Sequence, residues 1–333
     1  MKSNSVISCA PLRVSFVGGG TDIPDFYEKF GEGRVVSAAI KKYVYVHVKN
    51  HDSLFHEKYR VSYSQVELAR DRSDIQNGIV RRCLEYLDID EPLHIATTGD
   101  IPSNSGLGSS SSFTVALLLA LYSLKGKQVS AGRLAEEAAF VEINLLNEPI
   151  GKQDQYSASF GGMNSYSFKS NGQVGIEPIL CDIGTFNRFF SHSLLIWTGE
   201  TRQASQILQK QKSNADSNYP KLIELTNLAK EFQATFNQMN ITTNLDYVSK
   251  LISLGWKLKK QFSSEISTQE TEKISALLDS LGALGYKLLG AGGGGFVYSV
   301  FGSETTDFIT SLFPYKCFVP EIDHQGARVL SRM

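Results

Sequence analysis

Cysteine is scarce. The 333 residues contain four, Cys9, Cys83, Cys181 and Cys317, none close to another and none in a CxxC pair. That excludes a disulfide-dense scaffold and points to free thiols in a reducing compartment. An excess of one charge is also missing: 33 Lys+Arg stand against 34 Asp+Glu, for a formal net charge of -1. Domains that bind nucleic acid by neutralising phosphates are strongly basic, so no nucleic-acid partner is expected. No apolar run approaches the roughly 20 residues that span a bilayer; the longest, Val115–Tyr122, reads as a buried helix. The opening MKSNSVISCAPLRVSF lacks the uncharged stretch and small-residue cleavage site of a secretory leader. A cytoplasmic protein without a membrane partner is the expectation, and no feature fixes an oligomeric state. There is no GxxxxGK[ST] phosphate loop and no HExxH zinc motif.

What is present is ordinary for a globular chain, 42% hydrophobic and 20% charged, which excludes a mainly disordered or fibrous one. The length suggests about two domains. Leu12–Val17 alternates apolar and polar with period two and Tyr43–Val48 is β-branched and aromatic, so both read as strands. Helical spacing runs over 74–87, a helix is expected from Ser109 to Lys125, and another over 131–148 stops before Pro149. Leu93–Thr97, Met163–Phe168, Leu194–Thr198 and Phe296–Phe301 read as strands. The stretch 200–288 reads as mostly helical, with polar breaks near Ser213–Ser217, Thr242–Asn244 and Ser263–Thr268. Strands cluster early and helices late, which favours α+β over a doubly wound sheet. A weakly marked boundary near 180–190 divides the chain into 1–185 and 186–333.

Three glycine-rich loops stand out: Val17–Asp22, Gly106–Ser112 and Gly290–Gly295. Any one of them could be a simple tight turn. The middle loop leaves a strand and enters a helix whose first turn is Ser109-Ser110-Ser111-Ser112. A helix start offers unpaired N–H groups and the positive end of the dipole. Curling glycines and hydroxyl donors complete an anion cradle suited to phosphates. N-capping explains one serine and leaves three. The Gly290–Gly295 run formally satisfies GxGxxG, but a dinucleotide fingerprint needs a strand before and a helix after. Here a helix is expected before and a strand after, so that reading is rejected; the run could still form a wall against a ligand. His47 and His51 are four apart with His56 nearby, but His47 falls on an expected strand, and the three read as structural histidines.

The motifs together resemble those of the GHMP kinases: Ala10-Pro11-Leu12-Arg13-Val14 with Gly18-Gly19-Gly20-Thr21-Asp22, then Pro102–Ser110, then Lys287–Gly295, in the family's order and across nearly the whole chain. The first motif is closest to sugar 1-kinases. It looks most like that of the D-glycero-D-manno-heptose 7-phosphate kinases and less closely like that of L-fucokinases; galactokinases typically carry Glu-His at Gly19-Gly20.

The resemblance implies an α+β, two-domain GHMP kinase fold, with a ribosomal-protein-like N-terminal half, a ferredoxin-like C-terminal half and the active site in the cleft between them. It implies ATP and Mg²⁺. Gly106, Leu107, Gly108, Ser109, Ser110 and Ser111 would bind the nucleotide. Gly20, Thr21, Asp22, Gly292 and Gly293 would bind the sugar phosphate. Ser110 and Glu142 would hold the metal. Asp154, in Gly151–Tyr156, would accept or orient the anomeric proton, and Arg13 would keep that carboxylate ionised and stabilise developing charge. From the residues alone, Asp154 could equally make a turn and Arg13 could lie on a solvated strand face. Glu142 shares a helical face with Ala135, Ala138, Ala139 and Leu146, where a buried carboxylate needs a cation or a donor. A distal phosphate needs a basic anchor, for which Arg34, Lys41, Lys42, Lys152 and Arg202 are candidates. The expected product is a heptose 1,7-bisphosphate for nucleotide-activated heptose synthesis. The rivals are a kinase for free L-fucose or a related sugar, and a non-catalytic sugar- and ATP-binding regulator.

Overall fold

The computed structural model describes residues 4–201, 215–238, 241–263, 265–303, 310 and 313–333. Two sheets organise it. The larger has eight strands among the described residues. Its spine is β12 (Arg328–Arg332), β1 (Ser5–Val17), β2 (Glu32–Asn50), β5 (Leu93–Gly99), β3 (Tyr59–Ser62) and β4 (Val66–Ala69), and β6 (Met163–Lys169) and β7 (Val174–Pro178) branch from β2. Pairing is antiparallel except between β3 and β5. β2 serves two neighbours in succession: Glu32–Ala38 pairs with β6, and Val44–Asn50 pairs with β5. That use of 19 residues explains why the Tyr43–Val48 pattern captured only its second half. The register of β1 on β2 slips at Pro11/Leu12 and again at Ser15/Val17. Such bulges bend and twist a strand, and Arg13 lies between them.

The smaller sheet is antiparallel, in the order β11 (Cys317–Phe318), β8 (Ser193–Trp197), β10 (Phe296–Val300), β9 (Gly285–Leu288). On it pack α6 (Ile183–Ser191), α8 (Ile241–Lys260) and α9 (Gln269–Ser280), while α7 (Ala215–Asn237) lies between α8 and strand β2 of the larger sheet. The first half carries α1 (Pro24–Phe30), α2 (Gly78–Tyr86), α3 (Ser109–Leu124), α4 (Ala131–Ala139) and α5 (Gln153–Phe160). α3 is apolar nearly all round, with Val115–Leu118, Ala120 and Leu121 fully buried. A helix without a polar face belongs in a core, and this one packs on β1 and β2. None of the described helices is long and apolar enough to cross a membrane.

Three expectations need correction. The helix expected over 131–148 is α4 followed by a π-turn, Phe140–Leu145. The helix expected to enter Gly290 ends at Ser280, and β9 precedes the glycine run, so the order is strand, loop, strand. The dinucleotide reading still fails, now because no helix follows. The break expected at Thr242–Asn244 falls inside α8. Of the break near Ser213–Ser217, Ser213 and Asn214 lie outside the described residues.

The halves meet through an aromatic cluster. Phe16 of β1 lies 5.7 Å from Phe189, 6.4 Å from Phe190, 5.6 Å from Phe232 and 5.4 Å from Tyr298, ring centre to ring centre. Beside it Lys287 of β9 is buried and donates to the carbonyls of Ser15 at 2.8 Å and Phe16 at 3.0 Å. After β11 the chain returns to the first sheet: Ile322 bridges to Ile40, and Asp323 accepts from Gly326 N–H, Gln325 N–H, Tyr43 O–H and Arg328.

Candidate active site

A cleft of about 420 Å³ opens where the three glycine loops converge. α3 enters it from below. Gly108 is the residue before the helix and sits at φ 79°, and no side chain caps the helix start. A 16-residue helix therefore points its free first-turn N–H groups at the cleft, where a negative ligand would satisfy them. Gly106, at φ 81°, lies so close to the third loop that a Cβ would stand 2.6 Å from the Leu289 carbonyl oxygen. Two backbones can approach that closely only without side chains.

Against the helix start, where a Cβ on Gly108 would stand 3.1 Å from Asp154 Oδ2, Arg13 and Asp154 form a two-pronged ion pair. Arg13 Nε donates to Asp154 Oδ1 at 2.7 Å and its Nη2 to Oδ2 at 2.7 Å, and Nη1 donates to the Gly106 carbonyl at 2.6 Å. Arg13 is 5% exposed. Asp154 lies in the first turn of α5, where the helix dipole favours negative charge. This planar fork is a geometry that arginine matches and lysine does not.

Glu142 sits in the π-turn, 1% exposed. It accepts from Ser110 Oγ at 2.7 Å and from Gln155 Nε2 at 2.6 Å. Burial pushes its carboxyl up to about 7, against hydrogen bonds from Ser110, Gln155 and Ser111 that favour the ionised form. Among the described residues no cation pairs with it, and no group of three or more His, Cys, Asp or Glu could hold a metal. A carboxylate and a hydroxyl side by side suit Mg²⁺, which takes one or two protein oxygens and completes its shell with phosphates and water.

Asp22 is 2% exposed yet lines the cleft. It accepts from Gly20 N–H at 3.1 Å and Gln153 N–H at 3.2 Å. Its carboxyl is raised above the usual range by burial and by the nearby Asp154 charge. Its remaining lone pairs are free for hydroxyl donors.

The expected residues thus largely gather here: Arg13, Gly20, Asp22, Gly106, Gly108, Ser109, Ser110, Ser111, Glu142 and Asp154 all line the cleft. Four do not. Thr21 is fully buried, its hydroxyl bonded to the Gly18 and Arg34 carbonyls and the Arg34 N–H, so it shapes the loop from behind. Leu107 belongs to the core, and only its carbonyl takes part locally, accepting from Arg13 N–H. Gly292 and Gly293 turn to Ile266, and Gly290 and Ala291 form the cleft wall instead. Of the basic candidates, Arg34 pairs with Glu32 and Glu177, Lys41 with Glu321 and Lys152 with Glu136, while Lys42 lies over the Phe318 ring. Arg202 lies outside the described residues.

Sequence reasoning missed Ser15, Gly19, Asn104, Gly151, Gln153 and Lys259, all of which line the cleft. The segment around Asp154 held a hint of Gly151 and Gln153. Lys259 hides among Lys257 and Lys260 in the last turn of α8, which looks like an ordinary solvated helix end.

The family model for the GHMP kinases N terminal domain matches residues 76–162, and that for the GHMP kinases C terminal domain matches 228–309, together just over half of the chain. The chain is 29% identical over 298 residues to a D-glycero-alpha-D-manno-heptose 7-phosphate kinase of Campylobacter jejuni, covering 86% of this chain and 87% of that protein. It is 26% identical over 325 residues to an L-fucokinase/L-fucose-1-P guanylyltransferase of Bacteroides fragilis, covering 87% of this chain but 34% of that protein. In fold it is similar to the crystal structure of a D-glycero-D-manno-heptose 1-phosphate kinase from Bacteroides thetaiotaomicron (TM-score 0.77, 20% identity, 98% and 99% of the two chains covered). It is also similar to a Lactococcus lactis galactokinase complexed with galactose (TM-score 0.73, 17% identity, 98% and 95% covered).

Proposed function

This chain belongs to the GHMP kinase family and is an ATP-dependent sugar kinase, and on that footing we propose its reaction: transfer of the γ-phosphoryl group of ATP to the anomeric hydroxyl of D-glycero-D-manno-heptose 7-phosphate. The product would be the 1,7-bisphosphate, a precursor for nucleotide-activated heptose. The similarity to the Campylobacter jejuni heptose kinase over most of both chains supports this substrate. The observation that carries the chemistry is the Arg13–Asp154 pair beside the uncapped start of α3 in one cleft.

In this reading the triphosphate lies on the N–H groups of Ser109–Ser111. The anomeric oxygen attacks the γ-phosphorus, the bond to the ADP oxygen breaks, and the hydroxyl proton passes to Asp154. Arg13 aims that carboxylate through its two-pronged ion pair. An anomeric hydroxyl is the most acidic of a sugar, so an ordinary carboxylate suffices as base. Asp22 accepts hydrogen bonds from sugar hydroxyls. Ser110 and Glu142 would hold Mg²⁺, which when bound would neutralise charge on the phosphates of ATP.

A second reading, a free sugar such as L-fucose, draws on a neighbouring cavity of about 350 Å³ that shares Gly20, Ile23, Glu148 and Ile150 with the cleft. Its charged lining among the described residues is Asp25, Glu28, Glu148 and Lys152, and Lys152 already pairs with Glu136. Such a wall suits a neutral polyol better than a second phosphate. Turnover with ATP and Mg²⁺ across heptose 7-phosphate, L-fucose and galactose decides between them: preference for an unphosphorylated sugar removes the heptose assignment. Asp154→Asn should lower kcat by about 10²–10⁴-fold with ATP binding retained, and wild-type turnover in that variant refutes the assigned base.

A further inference from the structure

We propose that Lys259 is a further catalytic residue, the ammonium that meets the non-bridging oxygens of the phosphoryl group in flight. The inference rests on the cleft being the transfer site and is independent of which sugar is used.

Three lysines end α8, and the fold treats them differently. Lys257 is exposed; Lys260 bonds Glu272 and lies over the Trp256 ring. Lys259 turns inward to the wall that also holds Arg13, Gly106, Ser109–Ser111 and Asp154. Its Nζ donates to the Gly290 carbonyl of the third glycine loop. Among the described residues no carboxylate lies within ion-pair distance of it, which leaves two of its three donors unspent. It stands close to the first loop as well: a Cβ on Gly19 would be 3.7 Å from its Nζ.

The comparison with Arg13 makes the case. Among the described residues, Arg13 and Lys259 are the cations lining this cleft. Arg13 has committed Nε, Nη1 and Nη2 to Asp154 and the Gly106 carbonyl. Arg13's charge is already paired with Asp154, so among the described residues Lys259 is the cleft cation without a carboxylate partner and the one placed to meet an arriving phosphoryl group. A charge held away from water without a counter-ion is unfavourable, and a group carrying negative charge on three equatorial oxygens supplies what is missing. Because Lys259 comes from the C-terminal half and the α3 cradle from the N-terminal half, the phosphate would be gripped from both.

The groups facing Lys259 are Arg13 from β1, Asp22 from the first loop, Asp154 from α5 and Lys287 from β9, with Glu142 and Glu148 on the same wall. Burial and the Arg13 charge lower its ammonium to about 8, while Asp22 and Asp154 oppose the shift. The free enzyme should thus lose this charge as pH rises through about 8.

The test compares Lys259→Met and Lys259→Arg with wild type, using the best sugar substrate and confirming folding by circular dichroism and melting. We expect Lys259→Met to lower kcat by about 100-fold or more, the scale for removing one preorganised donor from a transition state, with the sugar KM near wild type. In wild type, kcat/KM for ATP, which reports the free enzyme, should fall along a basic limb. Lys259→Arg should retain more activity and move that limb upward, since guanidinium does not lose its proton in this range. Wild-type kcat in Lys259→Met alongside an inactive Asp154→Asn overturns the proposal, as does a basic limb unchanged in Lys259→Arg, which can be read even should the methionine variant fail to fold. Full activity in Asp154→Asn would instead overturn the reading of the cleft.

Discussion

Gly151 and Asp22 show how little slack the site has at the scale of single residues. A Cβ on Gly151 would fall 2.0 Å from Asp22 Oδ2 and 2.8 Å from the Asp22 carbonyl carbon. No rotamer relieves a clash with backbone, so one of the two segments must move. Gly151→Ala should therefore raise the KM for sugar by about tenfold, the cost of roughly one mis-set charged hydrogen bond, with a smaller change in ATP affinity. Steady-state kinetics in both substrates checks this. Individual residues were also where the sequence was most and least informative. Arg13, Asp154, Ser110 and Glu142 were legible because motif context overrode their ambiguous local settings. Thr21 is the opposite case: nothing in a Gly-Gly-Gly-Thr-Asp string says which way a hydroxyl turns, and the fold turns it to the Gly18 carbonyl and the Arg34 backbone. Lys259 was invisible because an inward lysine and a solvated one read alike in sequence.

At the scale of elements, Lys287 ties β9 to β1. Burial, reinforced by repulsion from Lys259 and Arg13, depresses its ammonium well below the ordinary lysine value, so the folded chain gives up this proton at a lower pH than the unfolded chain does. The unfolded state then binds more protons, and folding stability from this group rises with pH until the unfolded value near 10.5 is passed. Lys287→Met abolishes that dependence and leaves the Ser15 and Phe16 carbonyls without these donors, at about 1–3 kcal/mol. In urea unfolding, the stability gap between wild type and Lys287→Met should widen from pH 7 toward pH 10; a constant gap contradicts the burial argument. Most elements followed from pattern: β5, β6, α3 and β10 sit within a residue or two of their expected places. The failures had physical causes. Leu277–Leu289 is apolar enough for helix or strand, and it is the pairing of β9 with β10 that decides. The 131–148 segment keeps a helical pattern throughout, yet one turn widens into a π-turn at Glu142, and such turns recur at functional sites.

For the whole molecule, Phe16 is the rivet between halves. It is fully buried and belongs to the first sheet, while all four rings around it, Phe189, Phe190, Phe232 and Tyr298, belong to the second half. Phe16→Ala should cost about 3–5 kcal/mol and lower the melting temperature in calorimetry, with the second half losing its support first. An α+β plan was legible from strands clustering early and helices late. That the final strand would rejoin the first sheet was not, since a five-residue segment such as Arg328–Arg332 carries no address for its partner. This return has a mechanical corollary. Among the described residues the polypeptide crosses between its halves twice, once beyond β7 and again ahead of β12, and the second crossing is stitched down at Ile40–Ile322 and Asp323. Straps at both crossings, with the Phe16 rivet between them, tie the halves at separate places, and the cleft they wall inherits its width from all of them.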